Sequence, residues 1–407
     1  MKRKQLPGKK IVVLENGLIS SYTMREALMD ELLRNNFDVY ILTQTNQFRK
    51  EVESRGLKVV NIGSANTNIF KIGSYIFKLF WQIRKIKPDL CLTFSVRPAI
   101  WGNLIAGIFH VPVITNISGL GQLASSKNIA YRFVRAVYPL ALSKTSKVFF
   151  QNKEDLKFFI SRKFINSKQA DWIPGSGIDY HKFAPFNVSR DKSKFVFLFI
   201  GRLIRDKGIS EFIEAAGEIK KNYPETIFRI IGPLWHQNLK SNLISESQIE
   251  SWTENREIQY LGEKKDVRQF IAEADCIVLP SYREGISNVL LEGASMEKPA
   301  IATNVPGCKE VVEDGTTGYL CKPGDTGDLI DKMILMLHTS ESERKNMGQL
   351  AREKVILEFD KKIVVNKYLT EINQLFYQKS NPRYLTPVPS PNKEEKFRFQ
   401  TGMHMAG

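Results

Sequence analysis

Cysteine is scarce in this chain. Cys91, Cys276, Cys308 and Cys321 are scattered over 407 residues without metal-ligand spacing. A disulfide framework is therefore excluded, and a reduced, cytoplasmic setting is expected. Long apolar runs are also missing, and none reaches the roughly 18 residues that a membrane-crossing helix needs. The basic start Met1-Lys2-Arg3-Lys4 is not followed by a long apolar segment, so no signal peptide is expected. There is no Asp-x-Asp triad of the kind that holds Mn or Mg, and no internal repeat of fixed period. Acid is short in one place: between Ser54 and Lys153 the sole acidic residue is Asp89, against fourteen Lys and Arg. The net charge of +16 is accordingly lopsided. Residues 1–190 hold 29 basic and 12 acidic residues, and the remainder holds 30 and 31. Such a field points to an anionic partner: a lipid surface, a pyrophosphate-linked lipid or nucleic acid. Nucleic acid would need a basic stripe with stacking aromatics on a recognisable module, and none is present.

What remains is a globular composition, 43% apolar and 25% charged, in a chain long enough for two domains. Short apolar runs alternate with helical patterns from Lys10 to Phe376, which predicts parallel α/β sheets. Strands are expected at 10–14, 38–43, 58–62, 90–94, 111–116, 147–151, 195–200, 227–231, 258–261 and 276–279. The turn-rich segment Trp172–Asp179 and the polar stretch to Lys194 place the boundary between an N-terminal domain, 1–180, and a C-terminal domain, 181–378. Pro382, Pro387, Pro389 and Pro391 predict a disordered tail over 379–407. The segment 68–87 reads as an amphipathic helix. Ile69, Ile72, Ile76, Leu79, Phe80 and Ile83 form one stripe, Lys71, Lys78 and Lys85 another, and Phe70, Phe77 and Trp81 add aromatic bulk. Both an ordinary core-facing helix and a membrane-surface helix fit that pattern. Tyr131, Arg132, Arg135 and Tyr138 repeat the theme in the helix at 130–142. Gly119-Leu-Gly121-Gln-Leu-Ala124 fits the dinucleotide G-x-G-x-x-A, but no acid follows before Glu154, which excludes NAD.

Chemistry concentrates in residues 275–297. The apolar run Cys276–Leu279 ends at Pro280, which cannot donate to a central sheet. A polar turn with Arg283, Glu284 and Gly285 follows. A helix then starts at Ser287 or Asn288, both good caps, and carries Glu292. A strand end thus meets a helix start, where open α/β sheets bind ligands and backbone amides attract phosphate. Arg202 and Lys207 occupy the equivalent loop after the strand at 195–200, a planar donor fork and a point charge suited to a diphosphate.

The Glu284-Gly285 pair with Glu292 seven positions after the glycine resembles the donor-site signature of the retaining GT-B glycosyltransferases of family four. Pro299–Glu310, Asp314–Leu320, the Gly201-Arg202-Leu203…Lys207-Gly208 element and the connector Pro174–Asp179 match that family too. The resemblance spans about 370 residues and excludes the tail. It implies two Rossmann-like domains facing across a cleft. It also implies transfer of a hexose or N-acetylhexosamine from a UDP-sugar to a lipid-linked sugar acceptor, in bacterial surface polysaccharide or glycan assembly. In that reading Arg202 and Lys207 hold the leaving diphosphate without metal or other cofactor, and Glu284 meets the donor sugar. The amides of Gly285, Ile286 and Ser287 face sugar and distal phosphate, Glu292 accepts from the ribose hydroxyls, and the Leu261 backbone reads the base. Gly17 approaches the diphosphate. Many relatives place a His after the strand at 111–116. None stands there here, and His110 reads as structural, so Asn116 or Ser118 is expected to position the sugar. The basic N-terminal domain would hold the protein on the inner face of the cell membrane. A nucleotide-sugar 2-epimerase of the same architecture and a non-enzymatic polyanion binder are the alternatives.

Overall fold

The computed structural model describes residues 8–44, 48–63, 69–119, 129–191, 193–234, 243–255 and 257–380. The first sheet contains β1 (Lys10–Leu14), β2 (Asp38–Thr43), β3 (Lys58–Asn61), β4 (Leu90–Phe94), β5 (Val113–Ile117), β6 (Lys147–Phe150) and β7 (Ala170–Trp172). The second contains β8 (Val196–Ile200), β9 (Ile227–Ile231), β10 (Gln259–Tyr260), β11 (Cys276–Leu279), β12 (Ala300–Thr303) and β13 (Gly318–Cys321). The strand orders are β3-β2-β1-β4-β5-β6-β7 and β10-β9-β8-β11-β12-β13, and every pairing is parallel. Each order reverses once, between β1 and β4 and between β8 and β11. These are the switch points at whose carboxyl ends doubly wound sheets bind ligands.

Unbroken apolar strands become central because helices cover both faces of a parallel sheet. Val196–Ile200 and Cys276–Leu279 are buried throughout. In the second lobe Phe197, Phe199, Phe212 and Phe228 are fully buried, and the Phe197 and Phe228 rings stack at 5.5 Å. In the first lobe Val12, Leu14, Leu42 and Cys91 pack with Leu79 and Ile83 of the helix Ile69–Ile86. All four cysteines are buried free thiols. Among the described residues no helix is long and apolar enough to cross a membrane.

Several elements depart from the sequence reading. The loop after β1 contains a helical turn, Ile19–Tyr22, and Pro98–Gly102 after β4 is a π-turn. The strands β7, β12 and β13 and the helix Glu246–Glu254 were not foreseen. That helix nevertheless carries a legible capping box, Ser245 with Gln248. Tyr138, expected in a basic aromatic surface, is 3% exposed. Gly121–Ala124 lies outside the described residues, as does the proline-rich tail beyond Ser380.

By its internal contacts the chain divides into residues 1–367, which hold both sheets, and residues 368–407. Of the latter, the described part is the remainder of the helix Lys361–Ser380. Between β7 and β8, from Ile173 to Phe195, there is no strand among the described residues. At the start of the last helix Lys361 Nζ lies 2.5 Å from Asp179 Oδ2, and Lys367 Nζ lies 3.1 Å from Asp171 Oδ2.

Candidate active site

The switch point of the second sheet is built by two loops. After β8 the chain passes Arg202 and a single 3-10 turn, Arg205–Lys207, and closes at Gly208 in the left-handed region, φ 74°. A side chain at Gly208 would run into the Pro280 carbonyl, the last residue before the β11 loop, so only glycine lets the two loops meet. Tyr282 N–H donates to Asp206 O at 3.0 Å and stitches them together.

That approach sets Lys207 Nζ against Glu284 Oε1 in an ion pair whose side chains are 20% and 11% exposed. Ser281 Oγ donates to the same carboxylate oxygen at 2.8 Å. Ser281 is itself fixed, because its carbonyl accepts from the Thr303 hydroxyl at the end of β12. Glu284 N–H donates to Pro306 O at 3.2 Å. Glu284 is therefore held at both its main chain and its carboxylate.

Ser287 caps the helix Asn288–Ser295, with its Oγ accepting from Leu290 N, and its own N–H donates to Gly307 O at 3.1 Å. Both polar groups of Ser287 are thus engaged within the protein. Glu292 lies within that helix, half-buried. Burial pushes its carboxyl up to about 7, with Lys182 opposing and Asp266 assisting. Leu261 N–H donates to Ile230 O at 2.9 Å beside the C-terminus of β9. Arg202 is exposed at the end of β8.

The first lobe reaches this loop through main chain. A Cβ on Gly285 would collide with the Ser118 carbonyl and lie 2.7 Å from Gln151 Oε1, and a Cβ on Gly119 would lie 3.6 Å from the Gly285 main chain. Gln151 Nε2 in turn donates to buried Asn116 Oδ1 at 3.3 Å. The structure therefore brings together Lys207, Glu284, Gly285 and, through Gln151, Asn116. Gly17 lies at the carboxyl end of β1 in the first lobe, half-buried, its carbonyl accepting from Ser20 N at 3.4 Å.

Sequence reasoning missed Ser281, Gln151 and two ion pairs between the lobes. Arg283 pairs with Asp155, which is 1% exposed, and Lys309 pairs with Glu154. Asp155 also accepts from Asn152 Nδ2 at 2.8 Å at the head of the helix Lys153–Ser161. Asn152 caps that helix, its side chain accepting from Asp155 N. Partners more than 120 residues away leave no local trace.

Comparison with known proteins places this geometry. The family model for glycosyl transferases group 1 matches residues 182–354, and that for glycosyl transferase 4-like domains matches residues 10–152. The chain is 24% identical to the N,N'-diacetylbacillosaminyl-diphospho-undecaprenol alpha-1,3-N-acetylgalactosaminyltransferase of Campylobacter jejuni, over 88% of this chain and 97% of that one. It is 30% identical to an uncharacterized glycosyltransferase of Methanocaldococcus jannaschii, over 69% and 72%. The solved structure of Anabaena Alr3699/HepE in complex with UDP and glucose superposes with a TM-score of 0.71 at 17% identity, over 90% of this chain and 99% of that one. Two doubly wound lobes facing across a cleft, with a cation–carboxylate pair at the second switch point, define a glycosyltransferase of the GT-B fold. The chain belongs to glycosyltransferase family four.

Proposed function

We propose that the protein is a retaining glycosyltransferase that moves a hexose or N-acetylhexosamine from a UDP-sugar to a sugar on a polyprenyl-diphosphate lipid, in bacterial surface glycan assembly. The observation that carries the reading is Lys207 set against Glu284 at the β8/β11 switch point, with Arg202 on the same loop. The Campylobacter relative is named for a diphospho-undecaprenol acceptor, and the Anabaena neighbour is bound to UDP and glucose.

In this mechanism the sugar–phosphate bond breaks as negative charge grows on the leaving diphosphate. Arg202 and Lys207 meet that charge in place of a metal ion, which is the largest contribution such a site makes. Glu284 faces the positive charge that develops on the sugar. The acceptor hydroxyl attacks from the face that the diphosphate leaves, and its proton passes to the departing phosphate oxygen. Glu292 takes the ribose hydroxyls, and the Leu261 main chain takes the uracil.

The acceptor is embedded in lipid, so the basic lobe should rest on an anionic membrane at the cytoplasmic face. On the helix Ile69–Ile86, Phe70 is 83% exposed, Phe77 64% and Trp81 49%. Lys71, Lys78 and Lys85 are exposed beside them. Apolar rings between lysines are the pattern of an interfacial helix.

The test is a panel of UDP-, GDP- and ADP-sugars offered with undecaprenyl-diphosphate-linked N-acetylhexosamine, with and without EDTA. Transfer from a UDP-sugar, undiminished by EDTA and with the anomeric configuration kept in the product, is expected. Transfer only from another nucleotide, loss with EDTA, or inversion would each refute that part of the proposal.

A further inference from the structure

Glu284 stands between two residues that the first lobe grips. Arg283, on one side, pairs with Asp155, and Gly285, on the other, packs against the Ser118 carbonyl and Gln151 Oε1. A further grip falls on the segment after β12. Its Pro306 carbonyl accepts from Glu284 N at 3.2 Å, and its Gly307 carbonyl accepts from Ser287 N at 3.1 Å. Lys309, close behind in the same segment, pairs with Glu154. A Cβ on Gly307 would run into the Gly285 carbonyl, so the two segments lie in direct main-chain contact.

Asp155 is prepared to receive a cation from outside its own lobe. The Asn152 side chain accepts from Asp155 N at 2.7 Å and donates to Asp155 Oδ2 at 2.8 Å, while Oδ1 accepts from Arg283. Glu154 and Asp155 both stand in the first turn of the helix Lys153–Ser161, where the helix dipole favours negative charge.

We infer that Asp155 and Glu154 are positioning residues for the transfer reaction: through Arg283 and Lys309 they hold the Glu284 loop in its working place. The role rests on the proposed contact of Glu284 with the donor sugar. It makes the carboxylate of one lobe depend on two acids of the other.

Nucleotide binding and loop placement are then separable. Arg202, Lys207, Leu261 and Glu292 all belong to the second lobe, so UDP binds whether or not the two ion pairs are closed. Breaking the sugar–phosphate bond is more demanding, because a displacement of about 1 Å at a reacting group can cost about a hundredfold. Lys207 and Ser281 both hold Glu284 Oε1, but neither ties the loop to the first lobe.

The experiment exchanges the charges of the outer pair, whose side chains are 52% and 38% exposed for Glu154 and Lys309. Glu154→Lys, Lys309→Glu and the double exchange are made in the full chain. Hydrolysis of UDP-glucose and of UDP-N-acetylglucosamine is followed without acceptor, UDP affinity by calorimetry, and the Glu284 and Ser287 amides by hydrogen exchange. Each single variant should lose protection at both amides and lower kcat by about threefold to fivefold. The double exchange should restore both, and UDP affinity should stay within about twofold throughout. Arg283→Met should lower kcat by about tenfold or more, and the outer pair decides the matter if that variant fails to fold. Unchanged amide protection and kcat in the single variants, or losses that the double exchange does not repair, would overturn the inference. Amides that follow the charges in a protein that hydrolyses neither UDP-sugar would leave the grip on the loop standing and sink the donor reading.

Discussion

Glu284 is placed by three independent contacts, and each belongs to a different loop. Lys207 comes from the β8 loop, Ser281 from its own, and the Pro306 carbonyl from the segment after β12. Before donor arrives, Lys207 neutralises Glu284. A diphosphate would draw Lys207 toward itself and leave the carboxylate free to face the sugar. Glu284→Ala and Arg202→Ala should each lower kcat by at least about a hundredfold, with melting temperature little changed for exposed Arg202; wild-type turnover in either would remove that residue from the mechanism. Glu292 gives a pH signature. Its carboxyl titrates near 7 in the folded chain against an ordinary 4.5. Between those values the folded protein holds a proton that the unfolded chain has lost, so this group favours folding at the acid end and loses that contribution as pH rises toward 7. On the proposed contact of Glu292 with ribose, nucleotide binding should run the other way, since hydroxyls donate best to the ionised form. UDP affinity should rise from about pH 6 to about pH 8, and Glu292→Gln should flatten that rise. At this scale the strand Cys276–Leu279 and the Ser287 cap were legible in one contiguous block. The sequence was mute about Ser281 and Gln151, whose roles depend on strands brought together by folding.

At the scale of elements, the helix Ile69–Ile86 divides into an inner and an outer face. One face of it is core, and the other carries exposed aromatic rings. Tyr75, Leu79, Ile83 and Ile86 are buried against the sheet, while Phe77 and Trp81, with rings 6.1 Å apart, point outward among lysines. Phe77→Ser with Trp81→Ser should reduce sedimentation with anionic vesicles several-fold without lowering the melting temperature. Unaltered vesicle binding in a folded double variant would confine this helix to a structural role. The two fully buried strands of the second sheet's switch point were legible as apolar runs. Val196–Ile200 and Cys276–Leu279 announce themselves as uninterrupted apolar runs, whereas β7, Ala170–Trp172, is three half-buried residues. It is a strand because β6 offers it a partner, and a single segment cannot advertise that.

At the scale of the whole molecule, the two sheets are joined at the reaction edge by charge. Arg283–Asp155 and Lys309–Glu154 both run from the second lobe to the head of the helix Lys153–Ser161. Asp155 is buried, so removing its cation costs more than removing the pair. Arg283→Met should destabilise the protein by about 3 kcal/mol. Adding Asp155→Asn should recover part of that loss. A denaturant-based double-mutant cycle measures the coupling, and strictly additive losses would show that the pair does not act as a unit. A further contact between the lobes carries no such charge. Ser118 and Gly119 meet Gly285 main chain to main chain. The spacing across the catalytic gap is thereby a property of peptide dimensions. Residues lining the cleft can be exchanged to suit a different sugar while the gauge of the opening stays constant, but a side chain at position 285 is an exchange the seam forbids.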